Sequence, residues 1–223
     1  MSMKPCKKSD SKKKWMSDRR DRRITIAPEY HLIVTEGTKT EPQYFEGFKN
    51  DINNLYRGRI SIVIEGIGQG ANTLTLLERA QKIAEKDPDK YKHIWLVYDM
   101  DDFPKDDFDN TYNRCKALSE NCGSVIYHAL WSNECIEYWF LLHFMALDSS
   151  LNRNEYYPKL TECLGSKYEK NRKDIYTLLK SNIKKAINNA KRMETNNKGK
   201  PPSKCTPGTA VYEIFEMLEG YLS

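Results

Sequence analysis

The chain alternates short apolar runs with longer stretches of helical period. "YHLIVTEG" (30–37) is a β-branched run closed by Gly37 and predicts a buried strand. "TEPQYFEGFKNDI" (40–52) has the Thr–Glu–Pro opening of a helix, with Pro42 near its first turn. "RISIVIEGI" (59–67) predicts a second strand, and "LTLLERAQKIAEK" (74–86) a helix capped by Asn72 or Thr73. "HIWLVYDMD" (93–101) predicts a third strand, "DDFDNTYNRCKALSE" (106–120) a helix, and "SVIYHAL" (124–130) a fourth strand. "NECIEYWFLLHFMAL" (133–147) reads as an apolar, aromatic helix capped by Asn133. The β-α alternation predicts an α/β fold with a mostly parallel four-stranded sheet flanked by helices. Beyond about residue 149 no further strand is expected. A lysine-faced helix over 174–193, a Pro/Gly/Lys-rich loop over 195–208 and a closing helix form a C-terminal helical extension.

Charge changes the picture. The 223 residues carry a net +5, but residues 1–23 hold ten Lys/Arg against three Asp, and 167–204 hold twelve against three acids. The rest of the chain is therefore strongly acidic. An acidic body between basic segments suits a protein that holds a divalent cation centrally and a polyanion at its flanks. Three units are expected: a basic arm (1–23), the α/β core (24–148) and the helical region with its Lys-rich segment (149–223). There is no apolar run of membrane-spanning length and no signal-type hydrophobic segment in the first residues. The six cysteines form no CxxC pair and read as reduced thiols. Together these point to a cytoplasmic protein without a membrane partner.

The chemistry gathers where strands end, the usual place for ligands in parallel sheets. Glu36 closes the first strand; Asp99 and Asp101 close the third, and residues i and i+2 of a strand share one side. Crowded carboxylates repel unless a hard cation joins them, which makes Mg²⁺ or Mn²⁺ the expected cofactor. Glu137 stands in an otherwise apolar helix and either pairs locally, faces the site or is solvated. Lys39, Lys184, Lys185, Lys191 and Arg192 are candidate phosphate contacts, and Tyr44, Tyr98, Tyr156 and Tyr157 candidate base-stacking rings. None of His31, His93, His128 and His143 is expected to form a ligand pair, and His143 reads as a packed helix residue. "GIGQGAN" matches neither dinucleotide nor P-loop spacing and reads as a loop.

Strand one ending in "EG" and a later parallel strand ending in DxD resemble the Toprim fold of topoisomerases, primases and OLD-family nucleases. The strings "IVTEGTKTEPQYFEGF", "VYDMDDF", "WSNECIEYWFLLHF", "INNAKR" and "CTPGTAVYEIFEML" together resemble the RloB-like family over roughly residues 22–222. Glu134 departs from the Asn-Pro-x-x-Glu pattern of that family but leaves Asn133 and Glu137 in place. The resemblance implies Glu36 as general acid/base or metal ligand and Asp99 and Asp101 as Mg²⁺ ligands. It further implies a metal-dependent nuclease of bacterial phage defence or abortive infection, sometimes beside an ATPase partner protein, acting on RNA (tRNA included) or DNA. Two rivals stand: a non-catalytic nucleic-acid-binding or partner-docking module, and a glycosyl- or nucleotidyl-transferase using DxD. The second gives Glu36 no role and leaves the basic segments unexplained.

Overall fold

The computed structural model describes residues 29–55, 60–66, 73–100, 105–121 and 124–221. The basic arm and Asp101 lie outside the described residues. Strands β1 (Glu29–Thr35), β2 (Ile60–Gly66), β3 (Tyr91–Asp99) and β4 (Ile126–Asn133) pair in parallel, and β5 (Gly208–Thr209) completes a sheet of order β2-β1-β3-β4-β5. β5 is the departure from expectation: Thr209 and Gly208 pair antiparallel with Ser132 and Asn133. Two residues carry no periodicity, so no pattern could announce that strand.

Alternation along each strand divides the core. On one face, Leu32, Val34, Ile94, Leu96 and Tyr98 pack with Leu76, Leu77 and Phe108. These last three come from α2 (Thr73–Glu85) and α3 (Lys105–Asn121). On the other face, Ile33, Trp95 and Val97 meet α1 (Thr40–Leu55), α4 (Glu137–Leu142) and the C-terminal helices. Those are α5 (Arg153–Leu164), α6 (Ile175–Leu179), α7 (Ile183–Asn196) and α8 (Tyr212–Met217). α1 buries Tyr44, Phe45, Phe48 and Ile52, the stripe of an amphipathic helix. Phe48, Trp139 and Phe215 interlock there, with the Trp139 and Phe215 rings stacked at 5.4 Å. The C-terminal helices thus share one apolar cluster with the sheet.

α5 had no counterpart in the sequence reading, although its ends are signalled. Glu155 Oε2 accepts the Asn152 N–H at 2.7 Å, and Gly165 ends the helix at φ 66°. The expected helix over 174–193 is two helices joined by a 3-10 turn at Lys180–Asn182. The aromatic helix expected over 133–147 is the shorter α4.

β1 and β3 are neighbours although the chain visits β2 between them. The crossovers leave β1 in opposite directions, so the sheet reverses its winding between β1 and β3, where parallel sheets open a crevice at their carboxyl ends.

Candidate carboxylate site

Glu36 and Asp99 flank that crevice. The Glu36 N–H donates to the Val97 carbonyl at 3.0 Å, and the Met100 N–H to the Ser132 carbonyl at 2.9 Å. Ladder bonding therefore continues past the strand ends and fixes the backbone bearing both acids. Asp99 is buried, at 6% exposure, and alternation puts it on the face of Val97, toward α4. Thr35 Oγ1 donates to the Gly37 carbonyl at 2.8 Å and shapes the turn after Glu36. A Cβ at Gly37 would meet the Glu41 carboxylate, so the Glu41 side chain lies directly against this turn. Glu41 is a buried acid that sequence reasoning missed, because an acid in the first turn of a helix is already accounted for by the helix dipole.

Glu137 is 2% exposed, which excludes the solvated alternative. The Tyr168 hydroxyl donates to Glu137 Oε1 at 3.1 Å. Cys135 makes a hydrogen bond to Glu137 and lies within the electrostatic reach of Asp99. Burial and the nearby Glu137 and Asp99 charges push its thiol far up, so it remains protonated. Burial and the Glu137 charge likewise push the Tyr168 hydroxyl up and keep it a donor. Lys170 and Arg153 supply positive charge on this side. Burial works against the Lys170 ammonium, yet its hydrogen bond to Tyr157 and the Glu137 charge raise its pKa. Thr40 Oγ1 donates to the Lys170 carbonyl at 2.8 Å, tying the start of α1 to that segment. Cys135, Arg153, Tyr168 and Lys170 carry no local sequence signal, since it is the packing of the C-terminal region onto α4 that brings them here.

Asn133 does not cap α4. Its Nδ2 donates to Thr206 Oγ1 at 3.1 Å and to the Pro202 and Ser203 carbonyls, pinning the 202–206 loop to the end of β4. Lys39 and Arg192 are exposed. The other candidate lysines have intramolecular partners: Lys184 with Glu219, Lys185 with the Phe144 carbonyl, and Lys191 with Glu216. Tyr44, Tyr98 and Tyr156 are buried in the core, which removes them as base-stacking rings; Tyr157 is partly exposed. His143 is packed as expected, its Nδ1 donating to the Trp139 carbonyl at 3.0 Å.

The other histidines overturn the expectation that none would pair. His31, His93 and His128 sit near the amino ends of β1, β3 and β4, at the opposite end of the sheet from Glu36 and Asp99. His31 Nε2 and His93 Nε2 lie 3.2 and 3.3 Å from Glu29 Oε1, and His93 Nδ1 is 2.9 Å from His128 Nε2. Among the described residues, Glu29, His31 and His93 are the group of three whose donor atoms, all within 4.8 Å, could hold a metal ion. The two separations from Glu29 Oε1 match the roughly 3.3 Å edge of a tetrahedron with bonds of about 2.0–2.1 Å. One neighbour opposes this use. The Trp95 indole N–H donates to His31 Nδ1 at 3.1 Å, and indole nitrogen is donor-only. His31 Nδ1 is therefore unprotonated, its proton sits on Nε2, and Nε2 donates to Glu29. With His128 Nε2–H donating to His93 Nδ1, three neutral imidazoles satisfy the whole chain of bonds. Burial lowers His31 to about 4 and His128 to about 3, and it lowers His93 as well. Burial alone would raise the Glu29 carboxyl, but the Lys92 hydrogen bond and the imidazoles hold it low.

Residues 31–218 match the family described as RloB-like protein, and the chain belongs to that family. No curated protein matches the chain. Among the described residues, no helix is long and apolar enough to cross a membrane.

Proposed function

We propose that this member of the RloB-like family is a divalent-metal-dependent nuclease that cleaves phosphodiester bonds of RNA, tRNA included, or of DNA, in bacterial defence against phage. One observation carries the reading. The bond from the Glu36 N–H to the Val97 carbonyl holds Glu36 beside the carboxyl end of β3, where Asp99 stands, at the point where the sheet reverses its winding.

The donor set fits Mg²⁺ or Mn²⁺. Glu36 and Asp99 offer hard oxygens from adjacent strands, Asp101 follows two residues on, and such ions take the rest of their shell from water and phosphate. A bound divalent cation neutralises charge on the phosphate and acidifies water. Glu36 is the base that takes the proton of the attacking water. Glu137, fixed by the Tyr168 hydroxyl and the Cys135 thiol, orients that water or returns a proton to the leaving oxygen. Arg153 and Lys170 complement the phosphate charge, while exposed Lys39 and Arg192 contact backbone phosphates without reading sequence.

The binding-module reading is the specific rival, and cleavage separates the two. Purified wild type and the Asp99→Asn variant are incubated with labelled tRNA, single-stranded RNA and plasmid DNA, with Mg²⁺, Mn²⁺ or EDTA. Metal-dependent cutting lost in the variant supports the nuclease. Salt-sensitive binding without cutting under any metal establishes the binding module instead.

A further inference from the structure

A second cavity lies beyond the β4 edge, away from the carboxylates, with a volume of about 750 Å³, a size that accepts a small ligand. Trp131 and Tyr112 line it, with Glu194 from α7, Glu213 from α8, and Lys198 and Lys200 from the loop that follows α7. Trp131 is well supported. Phe108 meets it edge to face at 6.2 Å, its carbonyl accepts the Ala210 N–H at 2.9 Å, and a Cβ at Gly208 would come within 3.1 Å of its ring. The Tyr212 hydroxyl donates to Glu194 Oε2 at 2.8 Å and so orients one of the two acids.

Two acids on helices and two lysines on a loop give this cavity a dipolar lining. A simple ammonium ligand would meet the lysines, and a simple anion the carboxylates. A ligand satisfying both has a flat face for the aromatic rings, an N–H edge for a carboxylate and a negative group a few ångströms away. Guanine presents adjacent N1–H and N2–H donors that suit a carboxylate, and its nucleotide carries the phosphate. Adenine, with one exocyclic amine beside an acceptor nitrogen, offers a carboxylate no such pair.

We infer that the cavity between Trp131, Tyr112, Glu213 and the Lys198–Lys200 loop binds a guanine nucleotide, with the base edge on Glu213 and the phosphate on the lysines. Trp131 is in register with Tyr98, so the pocket belongs to the sheet face opposite Asp99. In the proposed nuclease it is a guanine-recognising pocket separate from the cutting carboxylates. Burial and the charges of Glu194 and Glu216 push the Glu213 carboxyl up to about 7. The biological setting rests on the nuclease reading, but binding does not require cleavage.

The test is a titration of the full chain with GMP, AMP, CMP and UMP, followed by tryptophan fluorescence and calorimetry, with Trp131→Phe assigning the optical signal. GMP is expected to bind about ten-fold or more tightly than AMP, and Glu213→Gln to remove most of that preference. Lys198→Ala with Lys200→Ala should weaken GMP while leaving guanosine unchanged. Thermal melting of Glu213→Gln checks that the variant is folded. Equal binding of all four nucleotides, no binding of any at millimolar concentration, or GMP affinity untouched in folded Glu213→Gln overturns the proposal. Asp99→Asn is included so that the two readings fail separately: it should bind GMP as wild type does, whatever happens to cutting.

Discussion

The Tyr168 hydroxyl donates to Glu137 Oε1 at 3.1 Å, so the acid at the head of α4 is held by a residue 31 positions later. Both groups are buried. Tyr168→Phe therefore leaves a carboxylate oxygen short of its donor in a closed site. The expected cost is about 1–3 kcal/mol of unfolding free energy, read by urea denaturation. If Glu137 acts in cleavage, the turnover rate should fall while KM for the nucleic acid holds. A variant as stable and as active as wild type would show that this bond positions nothing.

Asp99→Asn and Glu36→Gln remove charge from adjacent strand ends with almost no change of shape. Each should abolish the Mg²⁺-dependent rise in melting temperature and reduce cutting on the order of 100-fold or more. Melting without metal should shift little, because relieving repulsion between neighbouring acids offsets the lost interactions. An unchanged metal response in both variants would move the metal elsewhere.

The histidine chain makes stability depend on pH in a defined direction. His31 and His128 have folded pKa values near 4 and 3, below the 6.5 of the unfolded chain. Between those limits the unfolded state binds more protons, so the stabilisation is complete above about pH 6.5 and is lost as the pH falls toward 4. The lowered Glu29 carboxyl acts in the same sense at the acid end. Urea unfolding at pH 7.5, 5.5 and 4.5 should show a steady loss, on the order of 3 kcal/mol for His31 alone. His128→Phe should flatten the slope by about one proton. A wild-type stability that is level across this range would refute the account.

The basic candidates should separate by their existing partners. Lys191→Ala breaks an exposed pair with Glu216 and should leave both melting temperature and nucleic-acid affinity nearly unchanged. Lys39→Ala and Arg192→Ala should weaken binding across sequences and each lower the salt slope by about one. Equal losses in all three would mean that nucleic acid competes successfully with Glu216.

How much of this was legible in the sequence differs by element. The four long strands and the helices between them announce themselves, because burial on both faces forces continuous apolar runs and burial on one face forces a stripe. Glu36 and Asp99 were readable for the same reason: acids that end buried strands stand out against them. Glu41, Cys135, Arg153, Tyr168 and Lys170 did not stand out, since each has an ordinary local explanation and reaches the site only through packing between distant segments. The His31–His93–His128 chain was hidden likewise, with one member per strand and the register between strands as the sole link. Asn133 misled because an Asn before a helix usually caps it, whereas here a loop some 70 residues later supplies its partners.

The interlock of Phe48, Trp139 and Phe215 sets an order of events during synthesis. Glu36 and Asp99 leave the ribosome early, but the aromatic cluster on the Val97 face of the sheet, where Asp99 stands, is complete only once residues near 215 have followed. Closing that cluster means joining segments more than 150 residues apart, which is slow compared with forming the strands and helices themselves. A nascent chain therefore carries its acids for some time without the enclosure that Glu137 and Tyr168 need. In the proposed nuclease, late closure of this kind delays activity until the polypeptide is nearly finished.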